Sequence, residues 1–150
     1  MTDAEPAGET VARQPIEVLL VEDNPADVRM IREALAVSRM PHVLHVVEDG
    51  EEALEFVHRR GRYAAAPTPG VMLLDLNIPR LSGHEVMALM RADPSLPRFP
   101  IVVLTGSKLE KDMEESFALN AAEYIVKPTR LFEYVGGLAF ALGLAKRKPT

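Results

Sequence analysis

Short apolar runs alternate with amphipathic stretches along the chain from Ile16 onward. Five of these runs are almost continuously apolar, which is typical of strands that are buried on both faces of a parallel sheet. The five predicted strands are IEVLLV (16–21), HVLHVVE (42–48), VMLLDL (71–76), IVVLTG (101–106) and EYIVKP (123–128).

After each run, apolar residues recur at the three- and four-residue spacing of amphipathic helices. The predicted helices cover residues 24–39, 49–60, 82–93, 108–120 and 129 to about 147. Their starts carry capping signals, namely Asp23 or Asn24 before Pro25, then Asp49, the Ser82-x-x-Glu85 capping box, and Thr129. We expect two apolar stripes to face the sheet: Val28, Ile31 and Leu35 on the first helix, and Leu131, Val135, Leu138 and Leu142 on the last.

This alternation predicts an α/β fold, a doubly wound five-stranded parallel sheet of order 2-1-3-4-5 with helices on both faces and right-handed crossovers. Ligands of such sheets bind at the carboxyl ends of the strands, at the switch point between strands 1 and 3. The length of 150 residues fits one domain, which we predict to cover residues 16–147. Residues 1–15 are polar and are predicted to form a disordered tail.

The composition narrows the possible functions. The absence of cysteine excludes disulfides, thiolate metal sites and a cysteine nucleophile, and it fits a reducing cytoplasm. The net charge of −5 argues against a nucleic-acid surface. The start of the chain lacks the pattern of a signal peptide, and no apolar run approaches the ~20 residues of a membrane span. We therefore expect a cytoplasmic protein without nucleic-acid or membrane partners.

Polar side chains stand at the carboxyl ends of four predicted strands. Glu22 and Asp23 follow strand 1, Asp75 lies at the end of strand 3, Thr105 at the end of strand 4 and Lys127 at the end of strand 5. Because these ends meet at one edge of the sheet, three carboxylates, a hydroxyl and an ammonium should converge there. Crowded carboxylates favour a bound cation, and oxygen ligands without histidine or cysteine favour Mg²⁺ over zinc.

This set of groups suits a phosphoryl group. Mg²⁺ and Lys127 would neutralise the phosphoryl oxygens, and Thr105 would donate a hydrogen bond. Asp75 leaves a buried strand at the centre of the sheet, so it is the candidate nucleophile for an aspartyl phosphate. Two plainer interpretations stay open: Asp75 as a loop or cap residue, and Glu22 as a helix cap with Asp23 alone at the metal.

Several of these stretches carry a resemblance to a known family: VEDNP (21–25), LLDLNIPRLSG (73–83), VVLTGS (102–107) and YIVKP (124–128). Together they resemble the response-regulator receiver domains of bacterial two-component signalling, over roughly residues 16–145. The resemblance implies the flavodoxin-like, CheY-like fold. It also implies a signalling domain rather than an enzyme, which takes a phosphoryl group from a histidine kinase and catalyses only its own phosphorylation and dephosphorylation.

Carried over to matching positions, the family pattern implies a role for each residue of the acidic site. Asp75 would be the phosphoacceptor. Glu22 and Asp23, together with Asp75 and the backbone carbonyl of Asn77, would hold Mg²⁺. The side chain of Asn77 would help to set the lifetime of the phosphate.

The same pattern implies roles around the phosphate. Lys127 would bind it, and the Lys127–Pro128 bond would be cis. Thr105 would move toward the phosphate on activation, and the rotamer of Tyr124 would follow that movement, although an inert half-buried aromatic is the alternative for Tyr124. Ser107 would be a second residue that tunes the phosphate lifetime.

A closer resemblance concerns the partners. DNPAD (23–27), the connection GRYAAAPTPG (61–70), LNIPRLSGHEV (76–86) and RADPSLPRFPIVVLTGS (91–107) are similar to the small regulators that serve bacterial phytochromes. This resemblance implies a histidine kinase as partner, with a bacteriophytochrome as the candidate. Because no output domain follows the last predicted helix, we expect the output to be a protein–protein interaction.

The last predicted helix is apolar on more than one face. Phe132, Phe140 and Leu144 lie away from the stripe that should face the sheet. We expect them to form a homodimer surface together with the fourth helix and the fifth strand. The alternative is a wider core stripe.

Three rival functions are weaker. Aspartate-nucleophile phosphohydrolases carry a D-x-D pattern after strand 1, whereas strand 1 here is followed by EDN. A dimeric scaffold that works without phosphorylation is not favoured, because all the polar positions of the site are present. A dinucleotide-binding domain would need G-x-G-x-x-G after strand 1.

Overall fold

Residues 14–146 are described by the computed structural model, and they form a parallel sheet with helices on both faces. The strands are β1 (Ile16–Val21), β2 (His42–Val47), β3 (Val71–Leu74), β4 (Ile101–Thr105) and β5 (Glu123–Val126). The helices are α1 (Pro25–Ser38), α2 (Gly50–His58), α3 (Gly83–Arg91), α4 (Glu110–Ala118) and α5 (Leu131–Leu144). The strand order β2-β1-β3-β4-β5 confirms the predicted doubly wound, flavodoxin-like topology.

The three central strands are buried on both faces of the sheet, which explains why their sequences are nearly continuous apolar runs. One apolar layer joins them to α2 and α3 through residues such as Phe56 and Met87. The other joins them to α1 and α5 through residues such as Ile31 and Leu138. These two layers hold the carboxyl ends of the strands in fixed positions.

Polar side chains cap three helices. Asn24 Oδ1 accepts hydrogen bonds from two backbone N–H groups of the first turn of α1, so Asn24 is the cap of that helix. Asp49 accepts from the Glu52 N–H at the start of α2. Ser82 and Glu85 form the predicted reciprocal capping box of α3.

The predicted cap of the last helix is wrong. α5 begins at Leu131, and Arg130 occupies its cap position without a side-chain hydrogen bond. Arginine has no acceptor in its side chain, and Thr129 lies one residue too early to act as the cap. The helix ends at Leu144, three residues before the predicted end.

The buried face of α5 is also rotated from the predicted stripe. Its buried residues are Tyr134, Leu138, Ala141 and Leu142. Leu131 and Val135 of the predicted stripe pack against the core layer but are only half-buried. Almost every side of this helix is apolar, so its periodicity could not identify which face packs.

The predicted tail at 1–15 lies outside the described residues, except for Gln14 and Pro15. The last predicted residue of the domain, Arg147, also lies outside them. In the described part of the chain, no helix combines the length and the apolar character that a membrane crossing requires.

Candidate functional site

The sheet places the acidic residues side by side. Asp75 directly follows β3, and its backbone N–H donates to the Val21 carbonyl at the end of β1 (3.2 Å). Glu22 and Asp23 come next after Val21, so they start beside Asp75 on the neighbouring strand. This is the predicted switch point between β1 and β3.

The Lys127 side chain lies at the centre of the site. Its ammonium Nζ lies 2.7 Å from Glu22 Oε1, 2.8 Å from Asp75 Oδ2 and 2.8 Å from Asp27 Oδ2. The side chains of Glu22 and Asp75 are only 1% and 6% exposed, so water screens these ion pairs weakly. The three donors of one ammonium therefore face three carboxylates, and the cluster carries excess negative charge.

Asp27 is the member of this cluster that the sequence analysis missed. It lies in the first turn of α1 and is half-buried. Asp27 follows Asn24, the cap of α1, by three residues, a spacing that places it in the first turn of the helix directly after β1. That spacing within DNPAD is the signal that could have identified it.

Three of the carboxylates form a possible metal site. One oxygen from each of Glu22, Asp23 and Asp75 lies within 4.8 Å of the others. Glu22 Oε1 is buried, and apart from its ion pair with Lys127 it has no hydrogen-bond partner among the described residues. Carboxylate oxygens without histidine or thiolate ligands fit a hard divalent cation such as Mg²⁺ or Mn²⁺. These residues could therefore hold such an ion.

Burial and charge perturb the ionisable groups of the site. Burial raises the pKa of Glu22 to about 7; the contact with the Lys127 ammonium opposes this rise, and the Asp75 charge adds to it. Burial by itself would lower the pKa of Lys127, but its contacts with the carboxylates of Asp27, Asp75 and Glu22 raise this pKa above its ordinary value. The lysine therefore stays charged at neutral pH and balances part of the negative charge.

Tyr134 of α5 lies behind the cluster and was also missed by the sequence analysis. It is buried, and this burial, together with the Asp27 charge, raises the pKa of Tyr134 to about 12. Its hydroxyl therefore stays protonated beside the carboxylates. The rotated face of α5 brings Tyr134 here, which the predicted stripe did not include.

Two further predicted residues flank Asp75. The Asn77 backbone N–H donates to Asp75 Oδ1 (3.1 Å), and Asn77 is exposed. Thr105 is fully buried at the end of β4, and its hydroxyl accepts from the Ser107 backbone N–H (3.4 Å). The Asp75 carboxylate is therefore fixed by its own loop on one oxygen and by Lys127 on the other.

Tyr124 points inward and is 8% exposed. Its hydroxyl donates to the Ser107 carbonyl (2.9 Å). The Ser107 hydroxyl donates to Asp112 Oδ2 (2.5 Å) and accepts from the Leu109 N–H (3.2 Å). Tyr124 is therefore hydrogen-bonded to the segment between β4 and α4. The Ser107 hydroxyl in that segment is hydrogen-bonded to the start of α4.

The Lys127–Pro128 bond is trans, so the expected cis bond is wrong for this structure. No cis peptide bond occurs within residues 14–146. The trans form is the ordinary one before proline, favoured by about 0.5–1 kcal/mol.

The predicted dimer residues are exposed on α5. Phe132 is 69%, Phe140 53% and Leu144 38% exposed. The alternative of a wider core stripe is therefore wrong. These side chains lie away from the acidic cluster, on the opposite side of α5 from its buried face.

Two cavities differ in their relation to the cluster. A cleft of about 280 Å³ borders it and is lined by Glu22, Asp23, Pro25, Val28, Val46 and Glu48. A larger cavity of about 620 Å³ lies at the opposite edge of the sheet, where Glu17, Gly70 and Pro97 contribute to its lining. The smaller cleft is the relevant one, because the converging charged groups border it.

Comparisons with known proteins agree with this geometry. The family described as the response regulator receiver domain matches residues 18–135. Response regulator Rcp1 of Synechocystis sp. is 40% identical over 127 residues, which cover 83% of this chain and 86% of Rcp1.

Two solved structures are similar to the whole fold. The phosphorylated cyanobacterial phytochrome response regulator RcpA gives a TM-score of 0.80 at 42% identity, over 89% of this chain and 98% of RcpA. The Mn²⁺-bound form of Rcp1 gives a TM-score of 0.76 at 38% identity, over 84% of this chain and 91% of that structure. The family match runs from β1 into α5 and includes every residue of the acidic cluster, so the chain belongs to the response regulator receiver domain family of two-component signalling.

Proposed function

We propose that the chain accepts a phosphoryl group on Asp75 from the phosphohistidine of a histidine kinase and passes the signal on through protein–protein contacts. The observation that carries this proposal is the position of Asp75. It is a buried carboxylate at the centre of the sheet, 2.8 Å from the Lys127 ammonium and adjacent to two further carboxylates. Its two oxygens are held by the Asn77 N–H and by Lys127, which orients the carboxylate for attack on phosphorus.

The side chains of the site fit each part of this transfer. An Asp75 oxygen attacks phosphorus, the bond from phosphorus to the imidazole nitrogen breaks, and an acyl phosphate forms on Asp75 while the histidine leaves. Lys127 donates hydrogen bonds to Asp27 and Asp75 in the resting protein, and a phosphoryl oxygen takes over one of them. Thr105 at the end of β4 provides a hydroxyl donor for another oxygen.

Divalent metal belongs to this proposal. Glu22, Asp23 and Asp75, with the Asn77 backbone carbonyl, would hold Mg²⁺, which would neutralise charge on the phosphoryl oxygens. The acidic cluster and the Mn²⁺-bound form of Rcp1 support a divalent ion at this place. The chain then catalyses only its own phosphorylation and dephosphorylation, and it is not otherwise an enzyme.

The relatives suggest the kinase. RcpA is described as a phytochrome response regulator, and another similar structure is the bacteriophytochrome response regulator RtBRR, at 34% identity. We therefore propose a bacteriophytochrome histidine kinase as the partner. The cysteine-free composition fits a cytoplasmic location for this exchange.

The output surface is proposed to be the face formed by α4, β5 and α5, where a second copy of the chain would bind. Phe132, Phe140 and Leu144 provide exposed apolar area on this face. Light scattering of wild type, Phe140→Ser and Val37→Ser tests the homodimer. Val37, 56% exposed on α1, is the matched control. The Phe140 variant should shift to monomer while the Val37 variant stays dimeric; a monomeric wild type contradicts the dimer.

Intact mass tests phosphorylation itself. Wild type, Asp75→Asn and Asp93→Asn are incubated with a small acyl-phosphate donor with and without Mg²⁺. Wild type and the Asp93 control, a carboxylate outside the cluster, should each gain one phosphoryl group only with Mg²⁺, and Asp75→Asn should gain none. Phosphoryl gain in Asp75→Asn would identify another acceptor. No gain in wild type would reject the proposal and favour a scaffold that works unphosphorylated.

A further inference from the structure

Polar contacts join α3 to α4. His84, the second residue of α3, places its Nε2 2.9 Å from Ser116 Oγ. Two helical turns later, Arg91 donates to the carbonyl oxygens of Leu119 and Asn120, both at 3.0 Å, at the end of α4. His84 and Arg91 are seven residues apart and so lie on one face of α3. This face holds α4 at two points.

Ser116 is the one buried residue of α4, a helix whose residues the structure describes throughout. A buried hydroxyl requires hydrogen-bond partners. Ser116 donates its single hydrogen to the Asp112 carbonyl (2.7 Å), so the other contact must be donated by the Nε2–H of His84. His84 Nδ1 also faces Glu115 Oε2 at 3.4 Å. The hydrogen bond of the histidine to α4 is therefore the one to Ser116.

The start of α3 also packs closely against the loop after β3. The Gly83 N–H donates to the Leu76 carbonyl (2.9 Å). A Cβ at Gly83 would lie 2.6 Å from the Asp75 carbonyl oxygen, so only glycine fits this approach. His84 is the next residue after Gly83, and its backbone position therefore depends on that of Asp75.

On its other side, the start of α4 is bonded to the segment after β4. Asp112 accepts from the Ser107 hydroxyl, and the Ser107 carbonyl accepts from Tyr124. Leu109 and Phe117 are 56% and 46% exposed around this helix. A change in the position of α4 would therefore alter an exposed apolar surface.

We propose that His84 is a positioning residue that couples the loop after Asp75 to α4 through its hydrogen bond with Ser116. This rests on the proposed function, because phosphorylation of Asp75 is the event whose effect would reach α4 by this route. The polar contacts of the His84 side chain are to Ser116 and Glu115 of α4 and not to the acidic cluster. His84 acts by fixing α4 relative to α3.

Hydrogen exchange of the α4 amides in the unphosphorylated protein tests whether His84 holds α4 in place. His84→Ala and Ser116→Ala should each raise these exchange rates about three- to tenfold, the effect of one lost hydrogen bond. The double variant should exchange no faster than the single ones, since both remove one contact. His84→Gln keeps an N–H donor near the Nε2 position and should restore slow exchange.

His58 is the matched control. Its Nε2 lies 2.9 Å from Asp93 Oδ2, and its side chain is 15% exposed against 14% for His84, but it lies at the end of α2. His58→Ala should leave α4 exchange unchanged. Equal α4 protection in wild type and His84→Ala would overturn the proposal, as would faster α4 exchange in His58→Ala.

The coupling is tested by repeating the exchange after phosphorylation with an acyl-phosphate donor and Mg²⁺. Wild type and His84→Gln should change their α4 exchange on phosphorylation, and His84→Ala should lose at least half of that change at equal phosphoryl content by mass. A full response in His84→Ala would reject the coupling. If wild type takes up no phosphoryl group, the proposed function and the coupling fall together, while the resting-state comparison still decides whether His84 holds α4.

Discussion

Lys127 Nζ lies 2.8 Å from Asp75 Oδ2. Among the described residues, Lys127 supplies the positive charge at the centre of the acidic cluster. The pair is flanked by Glu22 and Asp27, which share the same ammonium. Removing one partner of a buried ion pair leaves uncompensated charge, which costs far more than the pair itself contributes.

Lys127→Met should therefore destabilise the protein by about 3 kcal/mol in urea unfolding with a chelator present. Adding Mg²⁺ should recover much of this loss, because the carboxylates then bind a metal ion in place of the ammonium. Lys111→Met, at an exposed position of α4, is the control and should change little. Unchanged stability of Lys127→Met without metal would contradict the role given to this cation.

Asp23→Asn should separate metal binding from folding. Asp23 is exposed, so its loss should alter the free energy of unfolding by less than about 0.5 kcal/mol. Loss of one charged ligand should nevertheless weaken Mg²⁺ binding by at least about tenfold in titration calorimetry. An unchanged Mg²⁺ affinity in this variant would show that Asp23 is not a metal ligand and that Glu22 and Asp75 bind the ion without it.

Two glycine substitutions should have opposite signs. Gly83→Ala places a methyl group 2.6 Å from the Asp75 carbonyl and 2.8 Å from Leu76 Cα, both backbone atoms, and should destabilise by about 1–3 kcal/mol. Gly136→Ala meets open space in the middle of α5 and should stabilise by about 0.5–1 kcal/mol. Thermal melts of both variants check this, and stabilisation by Gly83→Ala would contradict the close approach.

Asp93 should contribute to acid unfolding. Hydrogen bonds from the Ser95 side chain and from His58 lower the pKa of Asp93 to about 2, below its ordinary value of 3.8. A carboxyl with a lowered pKa stabilises the fold above its unfolded pKa, and this stabilisation is lost as the pH falls through the folded pKa. Asp93→Asn should therefore reduce the loss of stability between pH about 4 and 2. Identical pH profiles for variant and wild type would disagree with these hydrogen bonds.

The strands and the site edge could be predicted because parallel sheets impose strong rules on sequence. Residues buried on both faces must be apolar, as Val71–Leu74 are, and the first polar residue after such a run must lie at the edge of the sheet. Asp75 and its neighbours followed from that rule. The resemblance then supplied roles that no spacing could provide.

Other features depend on packing that the sequence does not encode locally. α5 is apolar on several faces, so its periodicity could not show that Tyr134 rather than Leu131 is buried. The contact of Asp27 with Lys127 depends on how α1 leaves the sheet. The hydrogen bond between His84 and Ser116 joins residues 32 positions apart, and the sequence around either residue does not predict it.

The ion pair between Lys127 and Asp27 spans 100 positions of the chain, and the pair with Asp75 spans 52. No local fragment can reproduce these distances, because assembly of the charges needs the complete sheet. Reactivity at Asp75 should therefore disappear in the same transition as global structure. Phosphoryl uptake is then a chemical measure of the native population, and heat, crowding or a destabilising variant would change signal strength in proportion to the fraction of molecules that remain folded.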